Sequence, residues 1–427
     1  MLVHVERSSP RVVYVLRHVL ERMLGLETRH VRGMEEFREA MGPKLCYTRA
    51  PIDGAVHVPW SGAIEERCEQ DPLVTMDLGS PCLFRTDAGE DIFAGIFHHL
   101  SLVDETQCKD RDVHGRVPSA SLFTVRSGIA DRPWVEEKVQ RLALKLEHSW
   151  PGLIKRTGGY ANQVTVDMDN ILRYAGRPLG RALGASVKEL LLGEWPEMLE
   201  RWRVRSGSVA DPFGRAIELV KDRSSSIDRT ILFFLMRGGT DFDHAAAAEH
   251  AATRAVIIRA GEVGEVGVHP SYATMEDSGS MRKERDRLQH IIGRPVTLSR
   301  QHFLRWTVPA TLRGALEAGV TEEHSLGFTD RVGFRAGTCT PFPWYDLERE
   351  QETSLMLHPF AVMDSALIER MKLDPAEVVA TMSAMSDLVR KVDGPFVSVW
   401  HDRYLSGHRE FASWPEVFKR VMRHARR

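Results

Sequence analysis

From Val164 to the C-terminus, short runs rich in β-branched and aromatic residues alternate with longer amphipathic stretches. The runs are VTVDMD, ILFFLM, EVGVH, a weaker one around SRQHF, SLGF, SLMLHPFAV and FVSVWHD. Between them stand AAAAEHAATRAVIIRAG, SMRKERDRLQHIIG, VPATLRGALEAG and DPAEVVATMSAMSDLVRKV, whose apolar residues recur at helical spacing. About seven β-α units in series predict a parallel sheet or barrel with helices outside it. In such folds the chemistry gathers where strands end and loops begin, at the C-terminal edge.

The preceding 150 or so residues read as a separate, smaller α+β domain. Val13, Leu16, Val19 and Leu20 repeat at helical spacing, and Gly25 closes that helix. Further helices are predicted over Asp91–Glu105 and Trp134–Trp150, the latter between Pro133 and Pro151. Pro151-Gly152 is the natural boundary, giving domains over 1–150 and 151–427. No internal repeat or low-complexity tract interrupts this order.

The 57 Lys and Arg against 59 Asp and Glu leave a formal charge of −2, which argues against sequence-independent nucleic-acid binding. The five cysteines, Cys46, Cys68, Cys82, Cys108 and Cys339, form no CxxC pair, so neither a disulfide framework nor a thiolate zinc site is expected. The longest strongly apolar run, Ile231–Met236, is too short to span a bilayer, and charges interrupt the first eleven residues. A soluble, cytoplasmic chain is the expectation.

Three segments carry residues suited to catalysis. In VTVDMDN, alternation along a strand places Asp167 and Asp169 on one face, about 7 Å apart along the chain. Two such acids repel unless a cation or a shared proton compensates; the competing reading is a solvated turn capped by Asp169 or Asn170. EVGVHPSY ends a strand-like run in His269, a borderline nitrogen donor that with Asp suits zinc or a similar divalent ion, although a lone His is often structural. The series SRQHFLRW, DRVGFRAGTCTPF and FVSVWHD adds Arg300, His302, Arg305, Asp330, Arg335 and His401. His401 follows a clear apolar strand and has the unperturbed pKa of a general acid; Arg335 in its Gly-flanked loop suits either an oriented carboxylate or a plain salt bridge.

On VTVDMDN, EVGVHPSY, SRQHFLRW, GFRAGTCTPFPWYDL, HPFAVMD and FVSVWHD, the region from Pro151 to Arg427 resembles the polysaccharide deacetylase superfamily. The resemblance implies the NodB-type distorted (β/α)7 barrel of carbohydrate esterase family four. SPRVVYVL, DIFAGIFHHLSLVDE and DVHGRVPSASL resemble the uncharacterised N-terminal domain of a subfamily found in bacterial polysaccharide gene contexts. The family pattern makes Asp167 the general base that activates a metal-bound water, Asp169 and His269 metal ligands, Arg335 the arginine that holds the base, and His401 the acid for the leaving amine. A divalent metal, zinc foremost, and an N-acetylated glycan or its precursor as partner are implied with them.

Where the family has a second histidine four residues after His269, this chain has Ala273. His302, near another strand end, is the expected replacement ligand. Val166 likewise replaces a histidine expected before the Asp-x-Asp. Arg300, Trp344 and Tyr345 are expected at the substrate, with Trp306 and Trp400 suited to stacking or to core packing. The altered metal motif keeps two alternatives open: a non-catalytic barrel that binds a saccharide or a biosynthetic partner, and a different, metal-independent C–N hydrolase. Glu105, Asp110, Asp112 and His114 read as a structural or docking cluster.

Overall fold

The computed structural model of the protein describes residues 1–66, 71–77, 79–155, 159–236 and 240–427; Cys68 lies outside them. The other four cysteines are free thiols. The chain divides into two compact units. One comprises Met1–Tyr160, Gly333–Pro359 and Leu388–Pro395, the other Ala161–Val332, Phe360–Asp387 and Phe396–Arg427.

In the first unit, β1 (Leu2–Val5), β2 (Arg29–His30), β3 (Lys44–Thr48) and β4 (Val56–Pro59) form a parallel sheet in the order β2-β1-β3-β4. The Ser9 hydroxyl caps α1 (Pro10–Leu16), which continues as a wider helix to Met23 and ends at Gly25 with φ 65°. The helix predicted over Asp91–Glu105 is two: α2 (Ile92–Leu100) and a short turn over Val103–Gln107, separated by Leu102 in the left-handed region. That reversal keeps the Leu102 side chain buried. Trp134–Ser149 forms α3 as predicted, and Phe342–Asp346 pairs with Gln351–Leu357 as an antiparallel hairpin.

The second unit alternates strands and helices. It runs β5 (Ala161–Met168), α4 (Leu179–Leu191), α5 (Trp195–Arg205), β6 (Arg229–Leu235), α6 (Ala251–Val263), β7 (Glu265–His269), α7 (Ser278–Ile292), β8 (Leu298–Ser299), α8 (Ala310–Glu317), β9 (Glu322–Glu323), β10 (Val362–Met363), α9 (Pro375–Lys391, in this unit as far as Asp387), β11 (Pro395–His401, in this unit from Phe396) and α10 (Trp414–His424). Among the described residues, its seven strands lie in the order β9-β8-β7-β6-β5-β11-β10. Strands β5 to β9 pair in parallel, as do β10 and β11. The buried runs of β6 and β7 are those of strands covered on both faces.

Three expectations shift. SRQHF is a strand only at Leu298–Ser299, and the strand near SLGF is the shorter Glu322–Glu323 before it. SLMLHPFAV splits into Gln351–Leu357 and Val362–Met363, because Pro359 between them lacks the N–H a continuous ladder needs. Helices α4 and α5, inserted between β5 and β6, had no counterpart in the sequence reading.

Gly267 sits in β7 where a methyl group would meet the Phe233 ring at 2.5 Å and the Leu298 carbonyl oxygen at 3.0 Å. The obstacle is partly backbone and cannot swing away. Gly267→Ala is therefore expected to destabilise the second unit by about 1–3 kcal/mol, read as a lowered thermal midpoint. An unchanged midpoint would show that the strands can separate at no cost.

Candidate active site in the second unit

The parallel register gathers distant residues. Phe233 lies opposite Asp167, Leu235 opposite His269, and Val268 opposite Ser299. The chain just beyond each strand end therefore emerges at one edge of the sheet. Asp167 and Asp169 come from the end of β5, His269 from β7, Arg300 and His302 from the loop after β8, and His401 from β11.

Asp169 is the centre of this group. Its Oδ1 lies 3.2 Å from His269 Nε2 and 3.7 Å from His302 Nε2, and its Oδ2 lies 3.9 Å from His401 Nε2. Burial alone would raise its pKa. The neighbouring His302, the His269 hydrogen bond and His401 override this and hold the carboxyl well below the usual range.

Both metal-candidate histidines are oriented from behind. His269 Nδ1 is 2.5 Å from the Arg300 carbonyl, which can only accept, so Nδ1 carries a proton. His302 Nδ1 is 2.9 Å from Asp243 Oδ1, with the same consequence. Asp243 in turn accepts from Tyr272 N at 3.0 Å and from Thr240 Oγ1 at 2.9 Å. In the neutral imidazoles the remaining lone pairs, on Nε2, face the carboxylate of Asp169. Lone pairs and an anion repel, so the arrangement calls for an extra proton or a cation. His269 shows the first solution: burial lowers its pKa, but Asp167 and the Asp169 hydrogen bond raise it overall.

The donor atoms of Asp169, His269 and His302 lie within 4.8 Å of one another. Donors about 3.3 Å apart are what tetrahedral coordination at zinc-like bond lengths requires. One carboxylate and two imidazoles therefore fit a borderline divalent ion, and each imidazole has its outer hydrogen bond in place. Ala273 lies in the turn Tyr272–Met275 after β7 and offers no donor, so the second nitrogen of the group is that of His302.

Asp167 is buried and accepts from Arg300 Nη1 at 2.8 Å. Arg300 is itself fully buried, donates from Nε to the His324 carbonyl at 3.0 Å, and lies over the Phe233 ring at 4.6 Å. This corrects two expectations. Arg300 has no surface for a substrate, and the guanidinium that orients Asp167 is that of Arg300. Arg335 belongs to the first unit, where it pairs with Glu105 at 2.5 Å and donates to the Val117 carbonyl at 3.0 Å.

Trp344 and Tyr345 also belong to the first unit and are fully buried there, Tyr345 against Tyr14 and Phe97 at 5.0 and 5.2 Å. Neither presents a face to a sugar. Trp306 and Trp400 are core residues of the second unit, Trp400 packing edge-on against Phe418. The exposed aromatics are ones the sequence reading passed over: Phe242 stacks on Tyr272 at 4.1 Å, and Phe303 meets both edge-on and touches His302 at 4.7 Å. Phe303 and Leu304 are held at φ 60° and 52°, a strained turn that sets Phe303 beside the site.

Asp364, in the HPFAVMD segment, accepts from His401 Nδ1 at 2.6 Å and from its backbone N–H at 2.7 Å. Burial opposes charge on His401, but the Asp364 carboxylate, and Asp169 after it, raise its pKa to about 9. The native imidazole thus binds its proton more tightly than the unfolded one, whose pKa is 6.5. Stability from this pair is complete below about 6.5 and is lost as pH rises through about 9. Asp364→Asn is expected to flatten that loss, measured by urea unfolding of both proteins at pH values on either side of the window. Equal slopes would remove the pairing.

The family model of a "family of unknown function (DUF7033)" matches residues 1–151. No curated protein matches the chain. Among solved structures, the chain is similar to one described as a "putative polysaccharide deacetylase from Mycobacterium smegmatis", at 14% identity and a TM-score of 0.39, over 63% of this chain and 86% of that one. It is similar to the polysaccharide deacetylase of Bacillus cereus at 11% identity and a TM-score of 0.31, over 62% and 86%. A family 4 carbohydrate esterase from Streptomyces lividans, in complex with acetate, matches at 13% identity and a TM-score of 0.30, over 62% and 87%.

Proposed function

We propose that the second unit is a metal-dependent hydrolase that removes acetyl groups from N-acetylated sugars of a polysaccharide or its precursor. The observation that carries this reading is the convergence of Asp169, His269 and His302, with a buried carboxylate, Asp167, and a strongly basic imidazole, His401, at the same sheet edge. Asp169, His269 and His302 would hold a divalent ion of the zinc kind, which when bound polarises a carbonyl and acidifies water.

The chain's own residues supply the proton transfers. Asp167, oriented by Arg300, takes the proton of the attacking water. His401 carries a proton at neutral pH and gives it to the amide nitrogen as the C–N bond breaks, so that acetate and a free amine leave. Asp364 keeps the Nδ1 proton in place and aims Nε2 at the site. The exposed rings of Phe242 and Phe303, with Tyr272 stacked behind Phe242, suit the apolar face of a sugar. The sheet with its flanking helices is read as the distorted barrel implied by the sequence resemblance, with residues 1–150 as a separate domain.

The test is acetate release from a panel of N-acetylated oligosaccharides by zinc-loaded protein, with chelator-treated protein beside it. Release that the chelator suppresses is expected. Zinc bound at one equivalent without release from any sugar would favour a saccharide-binding role, and release that survives chelation would favour metal-independent C–N hydrolysis.

A further inference from the structure

Helices α4 and α5 form a hairpin built the wrong way round for a surface element of a globular protein. The face of α4 turned inward carries Ala182, Ser186 and Glu189, while Leu179, Leu183, Val187 and Leu191 repeat every four residues on the outside. Leu183 is 50% exposed, Leu191 81%, and Trp195 and Leu199 at the start of α5 are 55% and 57%. An amphipathic helix normally buries its leucines and shows its small and polar residues. A contiguous apolar face of this kind marks a surface that something covers. The hairpin is firmly built: Trp202 Nε1 donates to Ser186 Oγ at 3.1 Å and Arg201 pairs with Glu189.

The charges choose the occupant. Arg181, Lys188 and Arg203 are exposed around this face and make no ion pair among the described residues. Of the hairpin's acids, Glu189 and Glu197 are buried in ion pairs with Arg201 and Arg173 and Glu200 is paired with His408 and Arg409, which leaves Glu194 as the exposed acid of the turn, unpaired among the described residues. A leucine and tryptophan face rimmed by Arg and Lys matches an anionic lipid surface, with the rings at headgroup depth and the basic side chains reaching the phosphates. A second copy fits worse, because a two-fold contact sets each basic rim against another.

We propose that the α4–α5 hairpin docks the protein on anionic phospholipid membranes, lying in the interface without crossing it. This docking does not depend on the hydrolase reading. The test is co-sedimentation of the full chain with vesicles of phosphatidylcholine alone or mixed equally with phosphatidylglycerol. Light scattering on the same samples reports the oligomeric state. Binding to the mixed vesicles, weakened by salt, is expected. Neutralising Arg181, Lys188 and Arg203 to Gln is expected to weaken it by about a hundredfold, since each basic residue at such a surface contributes roughly fivefold. Leu183→Glu with Leu191→Glu, both at exposed positions, is expected to abolish it with the circular dichroism spectrum retained. Absence of vesicle binding, or binding that both variants keep, overturns the proposal. A dimer that the leucine variant splits, with no vesicle binding, assigns the face to a second copy and overturns it equally.

Discussion

Asp167→Asn is expected to lower acetate release by about three orders of magnitude while leaving bound zinc at the wild-type level. The amide cannot take a proton from water, but it can still accept the hydrogen bond that Arg300 Nη1 makes to Asp167 at 2.8 Å. The metal candidates are Asp169, His269 and His302, none of which is removed. A stability cost accompanies the change, because fully buried Arg300 loses its compensating charge. Turnover is therefore compared at a temperature where circular dichroism shows both proteins folded. Wild-type turnover in the folded variant would take the general base away from Asp167. Loss of zinc in parallel with activity would instead make Asp167 a ligand.

His302→Ala is expected to weaken zinc binding by at least about a hundredfold, measured by competition with a chelator and by metal content. Without it the group retains one imidazole and one carboxylate, too few for a closed set with an open position. Asp243→Asn is the milder companion. It keeps His302 but weakens the hydrogen bond at 2.9 Å that fixes its Nδ1 proton, and a loss of about tenfold to a hundredfold is expected. Unchanged zinc affinity in His302→Ala would show that the ion, if held, sits elsewhere. Restoring the missing donor by Ala273→His in the His302→Ala background tests whether the turn after β7 can still present a ligand.

The strand-end residues were legible because their signal is local. VTVDMDN, EVGVH and FVSVWHD each show an apolar run terminating in a charged or imidazole side chain, and β5, β7 and β11 end where those runs end. The arginine was not legible in the same way. Arg300 and Arg335 both stand near strand-like segments, and only the parallel register of β7 with β8 sets the loop after β8 where Arg300 reaches Asp167. Asp243 and Asp364 were missed because a carboxylate that orients a histidine carries no spacing motif; their partners, His302 and His401, are 59 and 37 residues away in the chain. The substrate aromatics failed for a further reason. Composition cannot tell a buried ring from a presented one, and Trp344 and Tyr345 are buried while Phe242 and Phe303 are not.

By itself the sequence determined the alternation of parallel strands and helices, the strand ends that carry Asp167, Asp169, His269 and His401, and the absence of a histidine at Ala273. Period and residue type suffice for these, since apolar spacing dictates which segments become strands and helices and so where each must stop. The tertiary structure alone decided the rest. It put Arg300 on Asp167, turned His302 toward Asp169, paired His401 with Asp364, and left the leucines of α4 facing outward. Each of these depends on register between strands or on which helix face meets the core, and such long-range contacts leave no periodic trace in the chain.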